Sequence, residues 1–308
     1  MNFNCCKRIY LLPLLSLIAG SCKYKQPDRK NISFKDVIGI NYTEVKRRLY
    51  TGRSFNSDGY EVNPEWRMQF LSKDSSSIFS PDSNRFLTFP VMLDHDSLFF
   101  TGNTWFRAKK VTKDSMIFQV MDVKSKVIYL LHSNVYMTFY ANDYIKKHNL
   151  NIASLQKTDR LDTVFVKERS DLANKYPGDT LFSAREPVVM KSKSPFVIAE
   201  KEQIVGTHEN HFDTSDSYMY PKYNITIHHA YKDFSYLFTA YVDSDGNIHF
   251  LKNLIGSMMG DEYDKSVIVT IKAIIDGYVK TYVTVTPGNT LGVVHTTKVT
   301  IDIEGRKN

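Results

Sequence analysis

The stretch FSYLFTAYV-DSDGN-IHFLKNL, residues 234–254, decides how this chain reads. Leu237, Thr239 and Tyr241 share one parity of the first run, the period of two that a pleated strand requires. Asp243-Ser244-Asp245-Gly246-Asn247 is turn chemistry, because Asp and Asn bond their own backbone and glycine accepts a positive φ. Residues 248–254 return as a second strand. Gly260 and Asp261 then open a helix, with Asp264 near the first turn, where the helix dipole favours negative charge. Val267, Ile268, Ile271, Ile274 and Ile275 recur at i, i+1, i+4, i+7 and i+8, a stripe that faces a core. Pro287, Gly288 and Gly292 precede a last strand over residues 293–303. Val299, Ile301 and Ile303 face one way there, and Lys298, Thr300 and Asp302 the other.

Upstream, residues 60–140 alternate in the same manner. Trp66-Arg67-Met68-Gln69-Phe70 is a half-buried strand pattern, and short aromatic and β-branched runs follow it. Lys73-Asp74-Ser75, His95-Asp96-Ser97 and Lys113-Asp114-Ser115 each stand before an apolar segment and mark turns. Asp162-Thr163 before Val164-Phe165-Val166 reads as a fourth case. The expected fold class is α+β. An antiparallel β-meander or barrel-like domain spans residues 33–150, with a short N-terminal helix between residues 33 and 49 carrying Val37, Ile38, Val45 and Leu49. A helix is expected over residues 142–155. Residues 151–195 form a connecting region with a strand or two and a linker at 190–195, and residues 196–308 form a small α+β domain.

The start of the chain is an address. Lys7 and Arg8 precede a short apolar run, and Ala19-Gly20-Ser21 leads to Cys22. That run is too short for a bilayer, which needs about 20 residues. The pattern resembles bacterial lipoprotein signals. The resemblance implies cleavage after residue 21, acylation of Cys22 as the lipid attachment site, and a tether over residues 22–32. Surface-exposed lipoproteins of the Bacteroidota carry an acidic run after that cysteine, whereas Lys23-Tyr24-Lys25 stands here. The departure implies the periplasmic face, and the absence of Asp right after Cys22 implies the outer membrane by the enterobacterial sorting pattern. The three cysteines are Cys5, Cys6 and Cys22. The mature chain would keep only the acylated one, so no intrachain disulfide and no free thiol remain. The net charge of +7 falls to +5 once Lys7 and Arg8 leave. With acids interleaved and no known module, no nucleic-acid partner is expected. Lipid head groups are a modest alternative.

The order hairpin, helix, Pro-Gly and alternating strand resembles the TonB C-terminal domain family. The shared elements are Val242 to Gly246 with Ile248, the acidic helix start at Asp261, Glu262 and Asp264, and Pro287-Gly288-Asn289-Thr290-Leu291-Gly292. The match covers roughly residues 220–304. Val285 stands where the family usually carries Trp, and residues 275–287 are longer than usual. The resemblance implies a periplasmic module that binds an envelope protein partner by pairing a strand edge. An exposed edge on the 293–303 strand is the expected docking surface.

Nothing in the sequence specifies chemistry. His208-Glu209-Asn210-His211 with Asp213, and the pair His228-His229, are metal-ligand types without fixed spacing in a loop, so no metal is assigned. No G-x-S-x-G elbow and no Gly-rich phosphate loop occurs, so no catalytic residue, no cofactor and no enzyme activity is expected. Trp66, Phe70, Phe99, Phe100, Trp105, Phe106 and Tyr140 either fill a β core or line a lipocalin-like pocket for a small hydrophobic ligand.

Overall fold

The segment expected to be the N-terminal helix is a strand. The computed structural model describes residues 32–307 except 82, 181, 207–213 and 256–260, so the signal, Cys22, most of the tether and Gly260 lie outside it. One 3₁₀ turn, Lys35–Val37, leads into β1, Asn41–Leu49. Tyr42, Thr43, Glu44 and Val45 are buried in succession. A strand covered on both faces loses its alternation, and its apolar positions then mimic helical spacing.

Ten further strands follow. They are β2 (Arg67–Phe70), β3 (Ser75–Ser80), β4 (Arg85–Pro90), β5 (Met92–Leu93), β6 (Leu98–Thr101), β7 (Thr104–Val111), β8 (Ser115–Met121), the short pair β9 (Val123–Lys124) and β10 (Val127–Ile128), and β11 (Val135–Ala141). Eight of them join β1 in one nine-stranded antiparallel sheet in the order β4-β3-β2-β1-β11-β8-β7-β6-β5. The Asp-Ser repeats mark its turns as expected. Asp74 and Asp114 immediately precede β3 and β8, and Asp96 and Ser97 take positive φ before β6. The sheet curls into a nearly closed barrel, and its two edge strands are consecutive in sequence, joined by the buried Val91. Its interior is filled. Phe34 stacks on Phe70 at 3.9 Å, and Phe99, Phe118, Phe106 and Phe139 continue the ring contacts at 4.9–5.9 Å.

The first half of the connecting region is helical, and one strand, Val189–Ser192, lies in its second half as expected. Helices α1 (Asn142–Lys147) and α2 (Ile152–Gln156) replace the single expected helix, broken at Asn149, whose φ is +49°. Asp162-Thr163 does not open a strand. It lies in the first turn of α3, Arg160–Lys175, where Asp159 and Asp162 form a capping box. Buried Asp162, Val166, Ser170 and Ala173 follow helical spacing, which outweighs the β-branched pair Val164 and Val166. Val166 and Ala173 pack with Phe55 and Phe182.

The C-terminal unit contains β12 (Val189–Ser192), β13 (Val197–Lys201), α4 (Asp216–Met219), β14 (Lys222–His228), β15 (Phe234–Val242), β16 (Ile248–Asn253), α5 (Asp261–Ile274), a π turn at Ile275–Val279, α6 (Lys280–Tyr282), β17 (Val283–Thr286), β18 (Asn289–Thr290), β19 (Val293–Val294) and β20 (Thr297–Arg306). The first half of the expected linker at 190–195 belongs to β12, paired with β17. The five-stranded sheet runs β13-β14-β20-β15-β16. Phe238, Ala240, Val242, Val299, Ile301 and Ile303 pack under Val267, Ile271, Ile274 and Ile275, the predicted helical stripe. The docking edge expected on residues 293–303 is absent. β20 is central, parallel to β14 and antiparallel to β15, so both its ladders are filled by its own chain.

Candidate binding cleft

Strand polarity sets one end of the barrel apart. Leu49, Trp66, Ser80, the β6–β7 turn and Met121 all fall at the end away from Ile32, as the registers of β1, β2, β3, β7 and β8 require. A cleft of about 840 Å³ opens there between the β3–β4 hairpin and the β6–β7 turn. Trp66, Ile78, Phe79, Leu87, Phe89 and Trp105 form its apolar walls, with Glu65, Asn103 and Asp122 at polar positions. The chain has two tryptophans, and both line this cleft.

Each wall has a local cause. Gly102 and Asn103 take φ of +54° and +59°, which lets the β6–β7 hairpin turn tightly. A Cβ on Gly102 would stand 2.7 Å from Ile78 Cδ1 and 2.9 Å from Trp66 Cη2, so glycine lets the turn lie against the indole. Trp66 is fixed on its other side. The buried Glu44 carboxylate accepts hydrogen bonds from the Glu65 and Trp66 amides at 2.8 and 2.9 Å and from Arg47 Nε and Nη2 at 2.8 and 2.7 Å. Gly102→Ala is expected to displace Trp66, shift tryptophan emission, and cost about 1–2 kcal/mol by urea denaturation. An unchanged spectrum would contradict the contact.

One border of the cleft is backbone. β4 supplies Leu87 and Phe89, and among the described residues no hydrogen bond leaves its outer edge. Arg85, Phe86, Thr88 and Pro90 are exposed. Beyond Trp66 lies a polar basin lined by Arg47, Glu61, Glu65, Arg185 and Tyr218. Arg185 Nε donates to Glu61 Oε2 at 2.7 Å and its guanidinium lies 4.6 Å from the Tyr218 ring centroid. The Tyr218 hydroxyl accepts from the Glu61 amide at 3.0 Å. These contacts tie the barrel to the C-terminal unit.

A buried histidine braces the Pro-Gly segment. His295 Nδ1 faces the Thr296 carbonyl at 3.1 Å and Nε2 faces the Thr290 hydroxyl at 3.1 Å. The Thr290 oxygen also accepts from the Arg185 amide at 3.0 Å. Burial pushes the imidazole below its ordinary 6.5, and the bond to Thr296 opposes this only in part. The unfolded chain therefore takes up a proton before the folded one. His295 stability is complete above pH 6.5 and falls as pH drops from there toward the depressed native value, by up to about 1.4 kcal/mol per unit. Urea midpoints at about pH 7.5 and about pH 5.5 are expected to differ less in His295→Gln than in the parent.

The sequence-derived candidates separate in the structure. Cys22 and the set His208, Glu209, Asn210, His211 and Asp213 lie outside the described residues. His228 ends β14, and His229, at φ +55°, packs against Phe196. Among the described residues no group of three or more His, Cys, Asp or Glu could hold a metal ion, and no helix is long and apolar enough to cross a membrane. Phe70, Phe99 and Phe106 are core, whereas Trp66 and Trp105 are half-buried in the cleft. Glu44, Arg185 and His295 went unread, and Asp162 was read as a turn marker before a strand. Only Asp162 had a local signal, the Asp-x-x-Asp spacing from Asp159. No protein-family model matches this chain, and no curated protein matches it either.

Proposed function

We propose that this chain is a lipid-anchored adaptor of a bacterial outer membrane, held on the periplasmic face by acyl chains on Cys22, that captures an extended segment of an envelope protein at the β4 edge. The observation that carries this reading is the coincidence of an unpaired edge strand with the aromatic cleft. Strand addition gives affinity through main-chain bonds, and side-chain pockets give selectivity. Tryptophans are frequent anchors of such contacts. The TonB-like order in the C-terminal unit supports a second docking edge. With β20 internal, that edge is β16, the outer strand of its hairpin. A small hydrophobic ligand is the alternative occupant, and the filled barrel leaves it the same cleft.

Photo-crosslinking in the native envelope tests the reading. A benzophenone side chain at Phe86 or Thr88 is expected to trap one discrete protein, and Trp105→Ala is expected to abolish the adduct. Adducts with lipid or a small molecule alone would overturn the adaptor reading and favour the alternative.

A further inference from the structure

We propose that the tip formed by Tyr129, Leu130 and Leu131 docks on an anionic lipid bilayer. Leu131 is 91% exposed and Leu130 65% exposed. Tyr129 and Val127 beside them are also exposed, as is Tyr50, whose amide bonds the Asn134 carbonyl next to the tip. Adjacent leucines in water need a partner more than scattered ones do. They do not project because the loop is slack. The buried Ser133 donates its amide to the Tyr129 and Leu130 carbonyls and its hydroxyl to the Tyr129 carbonyl at 2.9 Å. Its hydroxyl oxygen accepts from the Asp122 amide at 2.9 Å, and its carbonyl accepts from Gln119 Nε2 at 2.6 Å. The fold holds the leucines outward.

Charge selects the bilayer over an apolar protein face. The β9–β10 hairpin that leads into the tip carries Lys124, whose ammonium lies 5.8 Å from the Tyr129 ring centroid, and Lys126 at its turn, with Ser125 and Lys126 at positive φ. Asp122, whose carbonyl accepts from the Tyr129 amide, is paired through its carboxylate with Lys124 at 3.6 Å and His132 at 3.1 Å. Two leucines at the apex, a tyrosine behind them and lysines at the rim match the hydrocarbon, interface and head-group layers in order. The chain outside the described fold is compatible with this. Ten residues from Cys22 to Ile32 reach at most about 35 Å, close to the length of β1, so a lipid on Cys22 and the tip reach one surface. Docking itself requires neither the acyl group nor a cleft occupant. The tip adjoins the cleft through Asp122 and Val123, so docking sets the cleft at the membrane surface.

The test uses the chain from residue 22 with Cys22→Ser, which retains every described residue and has no cysteine. Leu131→Cys then carries one polarity-sensitive dye. Vesicles of phosphatidylcholine with phosphatidylglycerol are expected to shift its emission to the blue and to sediment the unlabelled protein. Leu130→Ser with Leu131→Ser is expected to lower vesicle partitioning at least about tenfold with an unchanged circular dichroism spectrum. Lys124→Gln with Lys126→Gln is expected to remove the preference for anionic vesicles. No dye shift, equal partitioning of the serine variant, or leucine-dependent self-association without vesicles would overturn the proposal. None of these results bears on β4, so the cleft reading stands or falls separately.

Discussion

Glu44→Ala is expected to lower stability by about 3–5 kcal/mol, read as a drop in the urea midpoint. The carboxylate is fully buried and accepts four hydrogen bonds, two from Arg47 and two from the Glu65 and Trp66 amides. Removing it strands a mostly buried guanidinium and two amide donors in one step. Domains are stable by only about 5–15 kcal/mol, so the loss threatens the fold. Glu44→Gln keeps an acceptor for each amide or for Arg47 but not both, and is expected to cost less. The fluorescence readout is separate from the midpoint. Because Trp66 is held through its own amide, the emission of the folded variant should change even in buffer. A midpoint shift below about 1 kcal/mol would show that the network is not holding β1 to the cleft.

Asp162→Ala is expected to cost about 3 kcal/mol and to act on α3 first. Its carboxylate accepts from the Ser54 amide and hydroxyl and from the Asp159 amide, and Arg48 Nη2 lies 3.9 Å away. The side chain therefore both caps a 16-residue helix and fastens it to the loop after β1. Asp159→Ala removes only the more exposed half of the capping box and is expected to cost about 1 kcal/mol. Hydrogen exchange of the α3 amides checks the order of events. Asp162→Ala should expose the first turns of α3 before the barrel strands. Uniform loss of protection would contradict a local role.

The parts of the fold that were legible are those where local chemistry and tertiary context agree. In β15, turn and β16, a period of two, an Asp-Gly turn and a flanking amphipathic helix all specify the same unit. β1 was misread because a central strand between β2 and β11 buries both faces. α3 was misread because Val164-Phe165-Val166 favours a strand locally, while the deciding contacts, Phe55 and Ser54, lie over a hundred residues away. The central place of β20 depends on a parallel pairing with β14 that no turn motif announces. The cleft was half legible. Its two tryptophans stood out by composition, but their shared wall depends on the β3–β4 hairpin and the β6–β7 turn coming together at one end of the curled sheet.

The most direct measurement is hydrogen exchange along β4 in the full chain within native membranes, compared with the purified protein. Strand addition in the cleft predicts slower exchange at alternate amides of residues 85–89, lost in Trp105→Ala, with the buried barrel strands unchanged. Unchanged exchange across β4, with protection appearing only on β16 or nowhere, would contradict it.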